Sequence, residues 1–347
     1  MATMVAAAPV CAADDTVSAS LSGVTNTIAQ QGALDSVSHH LDTLRMRIKR
    51  PTPCTVDKCG PKMPAKRNDA WMVYTGGYDS VSSQAGMGKY SRTWNGLLLG
   101  VDRQLCCCAT LGVAFGYENS ISRSTATKFD TDTYYIDLYS AIRTGKYDHK
   151  LTLGVGILNY DTHRGIRTDE SDVIRDVTAT GSMNGHTVNV GYELSRDYVV
   201  ERWDGVATPF MSVNYAYIDI DNLRENGAGD AGLKTDFDSM NLLQIGLGVR
   251  YTMEFRGLPR QERSTLSLSA AAVCEFSDHR PDAVNQFYGR DDTFGTRSLK
   301  RAPFFGQFGM TAEVPLSPSW DLLAGGYGRV GAKRGSVTGN IGLGYEF

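Results

Sequence analysis

No stretch of this 347-residue chain approaches the roughly 18 to 20 consecutive apolar residues that a membrane-spanning helix needs. A helical membrane protein is therefore excluded, but a membrane protein is not. A closed β-barrel also spans a bilayer, and its strands need be apolar only at every second position, so its average hydropathy is ordinary. The mean hydropathy of −0.26 and hydrophobic content of 41% fit that case as well as a soluble one. Charge of one sign is also lacking. The 35 Lys and Arg are set against 38 Asp and Glu, a formal net charge of −3. No segment is basic enough to make nucleic acid a partner. Cysteine is too sparse for a disulfide framework, with seven residues in a chain of this length. Proline is scarce at 11, whereas Gly at 37 and Tyr at 17 are plentiful, the balance of many short strands with aromatic rims.

Four segments follow one another. Residues 1–13 (MATMVAAAPVCAA) read as a truncated signal remnant, small and apolar but without a basic opening. A disordered start, or a true start lying upstream, is the alternative. Residues 14–50 are a polar linker and a helix, in which Leu34, Val37, Leu41, Leu44 and Ile48 recur at steps of three and four. Arg45, Arg47, Lys49 and Arg50 crowd its last turns, where cations suit the helix dipole, and Pro51 stops it. Some 17 residues make a rod of about 25 Å, the height of the apolar band on an outer-membrane barrel. Residues 51–69 (PTPCTVDKCGPKMPAKRND) are a second linker. Beyond it, residues 70–347 keep a period of two.

About twelve strands are expected, near 70–79, 92–103, 108–119, 131–144, 150–157, 180–195, 206–219, 241–255, 264–276, 303–314, 319–330 and 337–347. Leu243, Ile245, Leu247 and Val249 alternate with Gln244, Gly246, Gly248 and Arg250; Ile341, Leu343, Tyr345 and Phe347 alternate with Gly342, Gly344 and Glu346. The face opposite the apolar one holds Asp102, Asp137, Arg143, Glu193, Arg250, Glu254, Glu275, Glu313, Asp321, Arg329 and Glu346. An Arg facing lipid at mid-depth costs about 2–4 kcal/mol, so the charged face must be the lumen. Trp71, Phe255, Trp320, Tyr345 and Phe347 fall at one rim; Trp94, Tyr117, Tyr134 and Tyr217 fall at the other. Connections 80–91, 120–130, 161–179, 220–237 and 277–302 are long and polar, and they alternate with short ones, the pattern of surface loops and periplasmic turns. The expected fold is all-β: a twelve-stranded antiparallel transmembrane β-barrel with an N-terminal α-helix in the pore. The partner implied is outer-membrane lipid, and the location the bacterial outer membrane.

The ending Asn340-Ile341-Gly342-Leu343-Gly344-Tyr345-Glu346-Phe347 resembles the C-terminal signal of outer-membrane barrels, which the barrel-assembly machinery reads. The resemblance makes Gly342, Tyr345 and Phe347 the contacts. A helix and linker followed by WMVYTGGY (71–78), WNGLLLGVD (94–102) and LGVAFGY (111–117) resembles the translocator domain of classical autotransporters over residues 20–347. That resemblance implies a type V secretion barrel with the helix threaded through its pore, exporting or anchoring a passenger polypeptide N-terminal to it. The Asn-Asn pair that some members cleave inside the pore is missing here.

The basic helix end, Arg45, Arg47, Lys49 and Arg50, is expected beside the acidic wall residues Glu254, Glu275, Glu313 and Glu346. A solvated helix outside the pore is the alternative. The pairs Gly154/Gly156, Gly246/Gly248 and Gly342/Gly344 open no helix after a strand, so they are not nucleotide loops; on the lumen face they leave room for a central helix. His39 and His40 are sequence neighbours and point to different sides of the helix. Cys54 and Cys59 could close a small disulfide loop, and Cys106, Cys107 and Cys108 crowd a turn. No cofactor, metal site or catalytic residue is expected. Two rival functions remain: a passengerless porin or loop-mediated adhesin, and an outer-rim hydrolase built from Asp161, His163, Asp169, Asp172, His186, Asp278 and His279. No Gly-x-Ser-x-Gly elbow supports the hydrolase.

Overall fold

A computed structural model describes residues 27–49, 68–82, 89–106, 108–124, 127–170, 173–256, 263–277, 282–297 and 301–347. The signal-like segment 1–13, Arg50, Cys54, Cys59, Cys107, Asp172, Asp278 and His279 lie outside the described residues, as do the side chains of Cys106 and Asp169. Among the described residues one α-helix, α1 (Ile28–Arg47), precedes seventeen strands. Twelve of them close a barrel: β1 (Asn68–Val81), β2 (Tyr90–Cys106), β3 (Ala109–Arg123), β4 (Thr127–Thr144), β5 (Tyr147–Glu170), β6 (Val173–Arg196), β8 (Gly205–Ile220), β11 (Met240–Arg256), β12 (Arg263–Ser277), β15 (Phe304–Ser317), β16 (Trp320–Gly331) and β17 (Arg334–Glu346). Each pairs antiparallel with its neighbour, and β1 pairs with β17 from Asp69↔Glu346 to Val81↔Arg334, which removes both free edges. The short β7 (Tyr198–Val200) folds back on β8 inside the 196–205 turn.

Period-two chemistry sorts the side chains as the sequence demands. Ile136, Leu138, Val155, Ile157, Leu247, Val249, Val337 and Ile341 are exposed on the outer wall, while Asp137, Lys150, Glu193, Gln244 and Arg329 are buried within. An outer surface of exposed aliphatic side chains is stable only against hydrocarbon. Trp71 and Trp94 are a correction to the expected rims. They share parity with Val73 and Leu98 on the inner face and are buried there, Trp71 beside Tyr139 and Trp94 beside His39.

Twelve strands about 4.8 Å apart, tilted roughly 40°, enclose a ring of about 12 Å backbone radius. A helix with its side chains takes about 5–6 Å of that, and one layer of inward side chains takes the rest. The lumen thus has room for one helix, and α1 occupies it. It is buried on every face from Ile28 to Leu44, including Gln30, Asp35, Ser38, His39 and Asp42. An ordinary surface helix would expose such residues.

The long-loop end carries more structure than its polar sequence suggested. β5 and β6 run 24 residues each, well past the 9–11 a spanning strand requires. A four-stranded sheet of β9 (Leu223–Arg224), β10 (Leu233–Phe237), β13 (Asp282–Phe287) and β14 (Thr293–Arg297) covers this end, its apolar side packing with the amino end of α1 in one core.

Candidate functional site: the occupied lumen

Three tiers of contacts hold α1, from the long-loop end to the short-turn end. In the first, Gln30 Nε2 donates to the Asp238 carbonyl at 3.2 Å. Asp35 accepts from Arg301 Nη1 at 2.9 Å and from Arg334. Arg301 also donates to Gln31 at 3.1 Å and, with Arg334 and Gln244, surrounds the Glu275 carboxylate. Arg301 comes from the stretch between β14 and β15, so one guanidinium ties cap, wall and helix together.

In the second tier the two adjacent histidines anchor to different walls. His39 Nε2 lies 2.7 Å from Asp79 on β1, and its Nδ1 lies 2.8 Å from the Tyr327 hydroxyl on β16. His40 Nε2 lies 2.8 Å from Asp137 on β4, with its ring stacked on Tyr135 at 3.8 Å. Ser36 Oγ donates to Glu118 at 2.7 Å. Arg92, fully buried, bridges the two carboxylates that hold the helix: it donates to Asp79 at 3.0 Å and to Glu118. Ser38 donates to Gln244 at 3.0 Å, and Arg329 donates to Asp42 at 2.5 Å.

The third tier is the basic end. Arg45 bonds Asn214 and Asp42 and lies 3.9 Å from Glu193, which Arg250 also approaches at 3.5 Å. Lys150 caps the Arg45 carbonyl at 3.0 Å. Arg47 lies over the Trp71 ring at 5.3 Å, and Trp71 donates to Tyr139, which donates to Asp102. Lys49 sits between Asp69 at 3.3 Å and Asp321 at 3.4 Å.

The expected stripe Leu34, Val37, Leu41, Leu44 and Ile48 is buried throughout, split between two apolar clusters at opposite ends of the lumen. Of the four carboxylates expected at the basic end, Glu313 lies within electrostatic reach of Lys49 and Arg47. Glu275 does not belong there. β12 carries it to the long-loop end, at the level of Asp35 and about four helical turns from Lys49, where Arg301 and Arg334 neutralise it. Glu254 is exposed and Glu346 half-buried. The partners that do meet the basic end, Asp69, Glu193 and Asp321, sit on β1, β6 and β16.

The middle tier's Asp79, Arg92 and Glu118 went unnoticed in the sequence, although each shares parity with lumen neighbours such as Val73, Trp94 and Ser120. At the chain's end, Gly342 faces inward against Val73. Tyr345 and Phe347 stack outward at 5.9 Å beside Trp320, while Phe347 and Asn68 exchange backbone bonds at 3.0 and 3.2 Å. Of the outer-rim acid–base candidates, Asp161 and His163 point off the outer wall, and His186 lies 3.9 Å from Asp219. Cys274 is exposed on the outer wall.

Comparison with known proteins follows the same geometry. The family described as the autotransporter beta-domain matches residues 70–327. The translocator domain of the autotransporter NalP from Neisseria meningitidis superposes with a TM-score of 0.64 at 18% identity, covering 90% of this chain and 98% of that one. The beta domain of the Bordetella autotransporter BrkA gives 0.59 at 16%, covering 81% and 99%. The transport unit of AIDA-I from Escherichia coli gives 0.52 at 13%, covering 85% and 93%. No curated protein matches the sequence.

Proposed function

The chain belongs to the autotransporter β-domain family, a family of outer-membrane barrels, and from that membership we propose that it exports or anchors a passenger polypeptide N-terminal to α1 at the cell surface. The long-loop end is then extracellular and the short-turn end periplasmic. The direction of α1 carries the proposal. Its amino end meets Asp238 and Arg301 of the outer loops, and its carboxyl end meets Asp69 at the start of β1. The amino end of α1, where a passenger would attach, thus faces the outer side. Lumen walls packed against α1 leave little path for solutes, which weighs against the porin reading.

Gly342, Tyr345 and Phe347 are the residues through which the assembly machinery would recognise the last strand, and the exposed outer wall is the surface for lipid. An epitope inserted immediately before Thr27 tests export. Antibody should bind it on intact cells, and external protease should remove it. Reactivity only after the outer membrane has been permeabilised would overturn the proposal.

A further inference from the structure

Arg196 closes β6 at the periplasmic end on the outer wall, directly opposite Tyr147 of β5. Its guanidinium lies 5.6 Å from the Tyr147 ring centre and 4.7 Å from that of Tyr198, so two aromatic faces flank one cation. Both rings are themselves exposed. Among the described residues no carboxylate lies within ion-pair distance of Arg196, and the adjacent Asp197 turns to Arg143 at 3.2 Å and to Thr208 at 2.7 Å. One rung further in, His149 Nδ1 lies 2.8 Å from the Tyr192 hydroxyl.

Height fixes what this cation meets. Outward rungs of β5 and β6 from His149/Leu194 to Ile157/His186 hold the apolar band. Eight residues at about 3.4 Å, tilted roughly 40°, give a band about 21 Å tall, close to the ~25 Å expected. Arg196 lies two residues further out, about 5 Å beyond that band by the same geometry. Headgroup phosphates of the inner leaflet occupy that level. Stacked arginine keeps its N–H groups in plane and free to bind a phosphate in two-point fashion, and aromatic rings at this depth favour the interface.

We propose that Arg196, held between Tyr147 and Tyr198, binds the phosphate of an inner-leaflet phospholipid and fixes the depth of the barrel on its β5–β6 side. Native mass spectrometry of the purified full chain tests this with three probes: phosphatidylglycerol, a diacylglycerol of the same acyl chains, and inorganic phosphate. Wild type should retain phosphatidylglycerol. Arg196→Gln should lower that retention about tenfold, as loss of a charge-assisted phosphate contact implies, and Arg196→Lys should fall between. Diacylglycerol should be held equally poorly by all three, and excess inorganic phosphate should not displace the lipid. Undiminished retention by Arg196→Gln would overturn the proposal. So would displacement by free phosphate, which would mark a soluble-anion site. Should Arg196→Gln lose the heat-modifiable migration of a folded barrel, Tyr198→Leu takes its place. Removing one flanking ring should then lower phosphatidylglycerol retention, and unchanged retention would refute the site.

Discussion

Replacing Arg92 by methionine should loosen the helix from the lumen. The Asp79 and Glu118 carboxylates that Arg92 bridges are themselves buried, and they hold α1 through His39 and Ser36. Methionine fills much of the same volume but leaves two buried carboxylates facing each other's wall without a cation. Breaking a buried pair in this way costs about 3–5 kcal/mol, which converts to a factor of roughly 100 to several thousand in the seated-to-unseated ratio of the helix. Single-channel recording reads this as time spent conducting, and limited proteolysis reads it as cleavage of α1. Neutralising both acids in the same chain, with Asp79→Asn and Glu118→Gln, should recover most of the loss, because the amide oxygen introduced on β1 would still accept from His39. A wild-type closed state for Arg92→Met would overturn this expectation. It would mean that lumen water screens these charges and that the network does not seat the helix.

Two further outcomes follow from the same packing. A Cβ at Gly154 would collide with Asp137 and Asn189 on the neighbouring strands, so Gly154→Ala should destabilise the fold by about 1–3 kcal/mol and lower the midpoint of heat-modifiable migration; Gly295→Ala, which meets nothing within 4 Å, should leave it unchanged. Arg301→Gln removes the cation that joins Asp35, Gln31 and Glu275. It should make the 282–302 region more sensitive to external proteinase K, whereas Arg290→Gln, at an exposed position, should not.

The barrel could be read from the sequence because lipid and water impose opposite demands on alternate residues, so twelve strands announce themselves by parity alone. Leu243, Leu247 and Leu343 needed no partner to be placed. The helix was legible only from Leu34, although it begins at Ile28. Its surroundings explain the gap: a helix enclosed by a polar lumen buries Gln30, Gln31 and Asp35 as fully as Leu34, so no apolar stripe marks its first turns. Loop strands β10 and β13 were missed for a related reason. Each is six residues or fewer, too short for a period to register, and Leu233, Thr235 and Phe237 share a buried face only once β9 and β13 pair beside them and Phe237 joins the core at the amino end of α1. Pairings across the lumen were beyond reach. Glu275 and Glu313 look alike on adjacent strands, and their opposite heights depend on the direction in which each strand runs. Trp71 and Trp94 show the cost of reading height without parity.

The helix α1 is seated inside a membrane-spanning barrel. Planar-bilayer recordings of the intact chain, set against a chain lacking residues 14–50, test that seating most directly. The intact protein should stay almost silent, and the shortened one should open a stable, much larger conductance. Equal conductance from the two would mean that α1 does not fill the lumen.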